Sequence, residues 1–593
     1  MSLSQNSLFK NLRCILKHLP QRRRQQLLLM LALGLATAFS EVLSLGALLP
    51  FLGALANPQV LMQNPKIQTI AQILSITSPH QLSIWLSLGF ILAVVTANTL
   101  RLITLWFQSR LIAAIANDLS VACYRSNLLQ PYSFYLTHNS SKLIVGSTEY
   151  IEGTIGVIYA TLNFVFYFLM LTAILFGLLL VDWQITLGGI ALLGTLIVPI
   201  VRLTRYRLAR NSNKIVEYSH KRIKLIQESM GGIRDILLDG SQPIFLSNYQ
   251  NTDLTLRQLH AANQFMGSLN RPYMEAIAMT SIAILALLML QTEANFLRIL
   301  PVLGTLVLGL NRLLPSLQQC YSCWAWVRSN DASLKETLAT LEKPVVKHYL
   351  QPRPEPLPLN KNLRLQNVWF RYSPELNWVL RDVNLTISVN STIGFFGGSG
   401  CGKSTTADLI LGLIQPQKGY IFIDSTPLDS DNQQWAWQQN VANVPQTIYL
   451  SDTSIAENIA FGVQPSEIDM ERVKKAALLA QIDSFIENLP HQYAELVGER
   501  GIRLSGGQRQ RIGIARALYK RASVIVFDEA TSALDNETEQ EVMEAIYSLK
   551  ERVTIIIIAH RLSTLRHCSQ VFEFKEGQIV SQGTGESLQE KVT

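Results

Sequence analysis

The sequence predicts a chain of two parts, an all-α domain of six membrane-spanning helices followed by an α/β domain. Three observations predict this division. The 593 residues are 48% hydrophobic and only 16% charged, whereas soluble globular chains carry about 25% charged residues. Residues 1–340 hold 26 Lys and Arg against 14 Asp and Glu, while residues 341–593 hold 25 against 29. Five prolines between Pro344 and Pro358 separate the two parts, because such a density of proline excludes a helix interior.

These boundaries predict four segments. An N-terminal interfacial helix occupies residues 1–25, the six-span domain with long intracellular loops 26–340, the proline-rich linker 341–360, and the α/β domain 361–593. In the first segment an apolar stripe lies opposite the basic residues, a pattern typical of a helix on the inner leaflet. Its members are Leu8, Leu12, Ile15 and Leu19. The six cysteines are scattered and do not predict a disulfide framework.

Six apolar runs match the length of about 20 residues that a bilayer span requires. Buried helices of a soluble protein are the alternative, but six of them would need an improbably large core. Basic residues precede the first run and follow the fourth, whereas the loop at 57–81 has only Lys66, which places the N-terminus inside. Six crossings then leave the α/β domain in the cytoplasm, as in a multi-pass protein of the inner or plasma membrane. The runs are 27–55, 82–116, 153–181, 183–201, 276–292 and 296–317, and residues 65–74 form a candidate outer helix.

The α/β domain contains a phosphate-binding loop. GGSGCGKST at 397–405 fits G-x-x-x-x-G-K-[ST], follows a short apolar strand and precedes an amphipathic helix. Its glycines allow backbone N–H groups to surround phosphate oxygens. Lys403 is expected to reach the β- and γ-phosphates of ATP, and the Ser404 hydroxyl to bind Mg²⁺. The candidate loop comprises Gly397, Gly398, Ser399, Gly400, Cys401, Gly402, Lys403, Ser404 and Thr405.

Two further apolar strands end in polar residues. VIVFDE at 524–529 ends in Asp528 and Glu529, and IIIIAH at 555–560 ends in His560. Strands this apolar are buried, so their polar ends emerge where α/β sheets bind ligands. We expect Asp528 to hold Mg²⁺, Glu529 to act as the base toward the attacking water, and His560 to contact the γ-phosphate. A hydrogen-bonded core histidine is the alternative for His560.

Together with LSGGQ at 504–508, these motifs resemble the nucleotide-binding domain of ATP-binding cassette (ABC) transporters over residues 361–582. VGERG at 497–501 is similar to a loop of exporter-type members, which implies the type IV exporter fold. The resemblance implies that Gln446 is the Q-loop residue, catalytic and a metal ligand, that Tyr372 stacks on adenine, and that Asp535 in SALD lies at a dimer contact. It also implies that the signature of one subunit caps the ATP of the other. The signature residues are Ser505, Gly506, Gly507 and Gln508.

One cassette fused to six spans resembles a half-transporter, which implies a homodimer with two ATP sites. Both sites are expected to be competent, because Glu529, Ser505 and His560 follow the family's pattern. Residues 131–135 and 231–240 lie where the family's coupling helices are expected. A solvated helix end is the alternative for each.

Four charges inside the apolar runs are candidates for a substrate cavity: Glu41, Arg101, Arg271 and Arg312. A charge at the bilayer centre costs roughly 3 kcal/mol, which makes it a functional candidate; Arg101 and Arg271 would alternatively snorkel to the inner interface. Arginines doubled by a homodimer suit a phosphate or pyrophosphate. The strings at 40–52, 98–106, 270–275 and 311–316 resemble bacterial lipid-linked oligosaccharide flippases.

The leading hypothesis is therefore ATP-driven flipping or export of an anionic amphipathic substrate, such as a lipid-linked oligosaccharide or a related glycolipid or polysaccharide precursor. A peptide or lipopeptide exporter and a general lipid or drug exporter are the alternatives within transport. A non-transport ABC ATPase is a further alternative, which the six apolar runs disfavour. No nucleic-acid partner is expected, because the basic excess flanks the spans, where it sets topology.

Overall fold

The computed structural model describes residues 3–56, 78–181, 183–269, 272–273, 275–276, 279–280, 283, 296–529, 540, 543–544, 546–547, 553–559 and 562–587. The chain divides into two compact units. The first comprises Met1–Leu128 and His138–Pro344. The second comprises Leu129–Thr137 and Val345–Thr593.

The described chain before residue 345 is helical. Three stretches are long and apolar enough to cross a membrane: Gln21–Ser44, Pro79–Leu128 and Ser140–Phe176. Large apolar side chains on the first two, such as Leu92 and Trp106, are mostly exposed in the isolated chain, as expected for surfaces that face lipid. The helices are α1 (Leu3–His18), α2 (Gln21–Ala56), α3 (Pro79–Leu128), α4 (Tyr132–Thr137), α5 (Ser140–Ser147), α6 (Glu149–Val181), α7 (Trp183–Gly231), α8 (Ile233–Leu238), α9 (Gln242–Ser268), α10 (Phe296–Ser329) and α11 (Asp331–Leu341).

This helical domain, followed by an α/β domain, confirms the predicted fold class. Five of the six predicted spans lie on α2, α3, α6, α7 and α10. Most of the fifth predicted span, 276–292, lies outside the described residues, as does the candidate outer helix at 65–74. The count of six spans therefore stays a prediction.

Part of the apolar stripe of α1 packs against protein, while contact of this helix with the inner leaflet stays a prediction. Ile15 and Leu19 are buried, in one cluster with Leu334 and Leu338 of α11. An amphipathic pattern shows that one face is buried but not what covers it, and here a second helix covers it. In addition, α2 begins at Gln21, so residues 21–25 belong to the first long helix.

A turn near residue 240 separates α8 from α9. Gly240 has a φ of +61°, a left-handed conformation that suits glycine because a Cβ would be strained there. Asp239 ends α8, its backbone N–H donating to the carbonyl of Asp235 at 2.8 Å. The chain therefore reverses here, and α9 runs back along α7: Asn211 donates to Asn263 at 2.8 Å, and Arg222 contacts Asp253 at 3.3 Å.

The short segment Leu129–Thr137, which contains α4, belongs to the second unit although the sequence boundary at 340 assigns it to the first. Val346 donates its backbone N–H to the carbonyl of Leu129 at 2.9 Å. Tyr132 is partly exposed, and its hydroxyl interacts electrostatically with Asp408 and Tyr372. Burial of the hydroxyl raises the pKa of Tyr132, and the charge of Asp408 raises it further.

The second unit contains two sheets. The four-stranded sheet has the order β2–β1–β4–β5, and the six-stranded sheet has the order β10–β9–β3–β8–β7–β6. The strands are β1 (Asn362–Phe370), β2 (Leu380–Ser388), β3 (Thr392–Gly397), β4 (Lys418–Ile423), β5 (Thr426–Pro427), β6 (Val441–Val444), β7 (Val524–Asp528), β8 (Thr554–Ile558), β9 (Gln570–Lys575) and β10 (Gln578–Gly583).

Strands β3, β8 and β7 are neighbours and parallel. Every residue of β8 is buried, as expected for a strand covered on both faces. The carboxyl ends of the three strands meet at one edge, where we expected the ligand to bind. The helices of this unit are α12 (Lys403–Ile410), α13 (Asp431–Asn440), α14 (Ile455–Ile459), α15 (Met470–Leu479), α16 (Asp483–Glu487) and α17 (Gly506–Lys520).

Candidate functional site

The predicted phosphate loop connects β3 to α12. Gly402 caps α12 with a φ of +106°, and a Cβ at this position would stand 2.5 Å from Cδ2 of Leu380. Both constraints require glycine. The ammonium of Lys403 is buried in the loop, where it donates to the carbonyls of Gly397 and Gly398 at 2.8 and 2.9 Å. The loop therefore presents a cation and the N-terminus of a helix at the same point, an arrangement that binds phosphate.

Strand β7, which is separated from β3 in the sheet by β8, brings a carboxylate to this loop. Asp528 ends β7, and the Ser404 hydroxyl lies 3.5 Å from its Oδ1. Serine hydroxyl and carboxylate oxygens are the ligands that Mg²⁺ prefers, and this ion usually completes its shell with waters and substrate phosphates. The residues present therefore fit Mg²⁺-ATP, for which Ser404 and Asp528 would hold the metal and Lys403 would hold the phosphates.

Glu529 directly follows β7, and the backbone turns away from the strand at this residue. Its backbone has a φ of +50°, an uncommon conformation for a residue with a Cβ that costs about 1–3 kcal/mol and clusters at functional sites. Its N–H donates to the carbonyl of Ile558 at 3.1 Å, which extends the contact between β7 and β8. Oε2 accepts a hydrogen bond of 3.0 Å from the Gln446 side-chain amide. The structure thus brings together the residues predicted as base and Q-loop glutamine.

The predicted adenine-stacking residue contacts the helix that follows the phosphate loop. Tyr372 is partly exposed, and its hydroxyl lies 3.0 Å from Oγ1 of Thr405. The ring of Phe370 meets it edge-on at 5.0 Å. An aromatic face at the side of the phosphate loop is suitable for stacking on a base.

The signature residues form the N-terminus of α17. Ser505 accepts a hydrogen bond from the backbone N–H of Gln508 at 3.2 Å, while the Gln508 side chain accepts one from the N–H of Ser505 at 2.8 Å. This capping box fixes the first turn. Gly506 and Gly507 keep that turn free of side chains, so a helix N-terminus with accessible N–H groups is held ready for an anion.

Three predicted site residues lie outside the described part of the chain: His560, Asp535 and Arg271. Arg312 lies on α10, but its side chain is also outside the description. Their roles stay predictions.

Glu41 and Arg101, which the sequence suggested as separate cavity residues, lie beside each other. Arg101 Nη1 on α3 is 3.9 Å from Oε1 of Glu41, which is buried on α2. One helical turn away, the hydroxyls of Thr37 and Thr104 are 2.9 Å apart in the same buried seam. Charged groups inside a membrane domain commonly pair in this way. The Arg101 side chain is still 42% exposed, and the role of both residues in a substrate cavity stays a prediction.

Comparisons with known proteins agree with this geometry. The family described as ABC transporter transmembrane region matches residues 27–296, and the family described as ABC transporter matches residues 380–532. An ATP-dependent lipid A-core flippase of Cupriavidus metallidurans is 30% identical over 71% of this chain and 70% of its own length. The heterocyst differentiation ATP-binding protein HepA of a Nostoc species is 30% identical over 99% of this chain and 95% of its own.

The chain belongs to the ABC transporters. A solved structure of a bacterial Atm1-family ABC exporter with ATP bound has the same fold, with a TM-score of 0.76 and 22% identity over 97% of this chain and 96% of that chain. This ABC exporter is therefore a membrane protein that couples ATP hydrolysis to transport.

Sequence reasoning missed one ionisable group in the cassette of this ABC exporter. Asp408 lies on α12, one helical turn after the phosphate loop. Burial raises its pKa from 3.8 to about 6, and the charge of Asp528 adds to the shift. In the sequence, a carboxylate between apolar residues of the amphipathic stretch TTADLILGLI could have indicated this buried group.

Asp408→Asn is expected to stabilise the cassette at pH 8. Because the folded-state pKa is raised, ionisation disfavours the folded state, and this cost grows as the pH rises from about 4 to above 6. The gain in Tm should therefore be largest at pH 8, smaller at pH 5 and lost as the pH falls below 3.8. Thermal unfolding of the detergent-purified protein without nucleotide measures it.

Asp424→Asn is the matched control, for which the opposite change in Tm is expected. Burial opposes ionisation of Asp424, but hydrogen bonds from the backbone N–H groups of residues 360–362 lower its pKa overall. This substitution should reduce Tm at pH 8. A Tm for Asp408→Asn below that of the wild type at pH 8 would contradict the assignment.

Proposed function

We propose that this exporter moves an anionic amphipathic molecule from the inner to the outer leaflet, with a lipid-linked oligosaccharide or a related glycolipid or polysaccharide precursor as the leading candidate. The observation that carries the proposal is Arg312 on α10, which has 13 uncharged residues before it and 15 after it. A lone guanidinium so deep in an apolar run is costly unless it has a function. The curated relatives named as lipid A-core flippases support a lipid as cargo.

We propose a homodimer as the working unit. The cassette carries two anion-binding helix N-termini, at α12 and at α17. A single nucleotide has no need of two in one chain, so the second is proposed to serve the ATP of the partner subunit. Closure of two cassettes on two ATP molecules then supplies the differential binding energy that a conformational cycle requires.

The proposed hydrolysis divides the work among the residues at the sheet edge. Lys403 and the loop would hold the phosphates, and Ser404, Asp528 and Gln446 would provide oxygen ligands for Mg²⁺, which would neutralise charge on the phosphates. Glu529 accepts the proton of the attacking water, and the hydrogen bond from Gln446 orients its carboxylate. The proposed orientation in the inner or plasma membrane keeps the N-terminus and the cassette in the cytoplasm.

Glu529→Gln is expected to retain ATP binding and to lose turnover. The amide has the same size but cannot accept a proton, so we expect a loss of about 10²–10⁴-fold in ATPase rate. Steady-state ATPase measurements and fluorescent-ATP binding separate the two effects. Glu573→Gln, on β9 of the same sheet, should leave the rate unchanged. ATPase activity at the wild-type level in Glu529→Gln would reject the assignment of the base.

The class of substrate can be tested by stimulation of ATPase activity in nanodiscs. Undecaprenyl pyrophosphate, an amphipathic peptide and tetraphenylphosphonium represent an anionic lipid, a peptide cargo and a hydrophobic cation. The proposal predicts stimulation by the pyrophosphate lipid above the other two. Stimulation by the peptide or the cation alone would favour the alternative exporters and contradict the proposal.

Arg312→Glu is expected to abolish stimulation by the pyrophosphate lipid and to leave basal ATPase activity within about twofold. Charge reversal replaces attraction for the headgroup with repulsion, while the cassette is not altered. Arg312→Lys is the control, since it keeps the charge and should retain part of the response. If both variants respond like the wild type, the cavity does not use Arg312 to bind an anion.

A further inference from the structure

A cavity of about 580 Å³ lies between α7 and α9, where α7 leaves the predicted fourth span. The uncharged run of that span ends at residue 201, and the cavity wall begins at Leu203. On α7 the wall follows one helical face, because Leu203, Arg207, Arg210 and Lys214 are spaced by four, three and four residues. All of these residues lie within the first compact unit.

The cavity carries three positive charges from Arg207, Arg210 and Lys214. Over the ranges that the structure describes, no Asp or Glu lines it, and none of the three cations forms an ion pair with a described carboxylate. The acid nearest along the helix, Glu217, is engaged by Lys221 at 2.6 Å. Lys214 also acts on Glu217, since its charge adds to the hydrogen bond from Lys221 in lowering the pKa of that carboxyl. The cavity therefore combines a net positive charge, carried mainly by Arg207 and Arg210, with a concave surface.

The polarity of the wall changes along the helices. Because α7 and α9 are antiparallel, Leu203 and Leu269 lie at the membrane end, with Phe265 one turn farther along. Arg207, Arg210 and Lys214 follow at about 6, 10 and 16 Å from Leu203, at 1.5 Å per residue. Apolar contacts thus lie toward the bilayer and cations toward the cytoplasm, which matches an amphipathic anion that stands in the inner leaflet.

We propose that this cavity binds the phosphate-bearing headgroup of an anionic lipid of the inner leaflet. The arginines present paired N–H donors to phosphate oxygens, Lys214 adds charge at the cytoplasmic end, and the apolar wall accepts the start of the acyl chains. Arg312, proposed above to contact the transported substrate, is not among the residues that line this cavity. This proposal does not depend on the identity of the transported substrate, since the site requires only an anionic headgroup with an attached chain.

Lipid binding to the full-length protein, measured by native mass spectrometry during a titration, tests the proposal. The probes are dioleoyl phosphatidylglycerol and, as the zwitterionic control, dioleoyl phosphatidylcholine. The triple variant Arg207→Gln, Arg210→Gln and Lys214→Gln is expected to bind phosphatidylglycerol at least about tenfold more weakly than the wild type, because each basic residue near an anionic headgroup contributes to affinity. Binding of phosphatidylcholine should not change.

A second triple variant controls for net charge. Arg202→Gln, Lys221→Gln and Lys224→Gln remove the same charge from the same helix, but none of these residues lines the cavity. This variant should bind phosphatidylglycerol within about twofold of the wild type. An equal loss of binding in both variants, or no loss in either, overturns the proposal. Basal ATPase activity of each variant in detergent reports that it is folded.

Photo-crosslinking locates the lipid. A benzoyl-phenylalanine at position 265, inside the cavity, should crosslink phosphatidylglycerol, whereas the same group at position 254, exposed on the same helix, should not. Crosslinking only at position 254 overturns the proposal. Inorganic pyrophosphate is the competitor that represents a free anion: displacement of the lipid at equal concentration would show a site for soluble phosphates and would also overturn it.

Discussion

The adjacency of three parallel strands, β3, β8 and β7, is the constraint on which the chemistry of this exporter depends. Each strand is too apolar to lie anywhere but in the centre of the sheet, and parallel strands must end at one edge. The phosphate loop after β3 and the two acids that end β7 are far apart in sequence, yet this constraint places Ser404 3.5 Å from Asp528. The left-handed turn at Glu529 then separates the proposed base from the proposed metal ligand, so that two neighbouring carboxylates have different partners.

Burying a charge in an apolar medium is energetically costly, and this cost restricts where charged residues lie in the membrane domain. Glu41 and Arg101 meet this cost by lying beside each other across α2 and α3. The cations of Arg207, Arg210 and Lys214 lie beyond the end of an uncharged run, where an anionic headgroup can compensate them. The same physical rule therefore accounts for the internal pair, and we propose that it also accounts for an anionic headgroup at the cavity.

Several features could be predicted from the sequence because their signals are local. The phosphate loop combines special backbone geometry with a fixed order of residues, and an apolar run of sufficient length indicates a span without knowledge of its neighbours. The turn at Gly240 was predictable for the same reason, since an Asp-Gly pair interrupts a polar helical pattern.

The remaining features depend on contacts between residues distant in sequence. Glu41 and Arg101 are 60 residues apart in the sequence, and the residue pattern of neither helix indicates which helix it contacts. The stripe of α1 indicated a buried face, but lipid and α11 would produce the same stripe. The raised pKa of Asp408 requires knowledge of its burial and of the neighbouring Asp528, which only the folded cassette provides. The grouping of Leu129–Thr137 with the second unit is likewise a property of packing and not of composition.

We propose that ATP hydrolysis at this sheet edge moves an anionic lipid across the bilayer. The most direct test is translocation of a fluorescent polyprenyl-pyrophosphate glycolipid in proteoliposomes, followed by quenching of the outward-facing label. We expect a change in leaflet distribution that requires ATP and Mg²⁺ and is absent when a non-hydrolysable ATP analogue replaces ATP. A distribution that is unchanged by ATP, while the same vesicles hydrolyse it, would contradict coupling of hydrolysis to movement of this lipid.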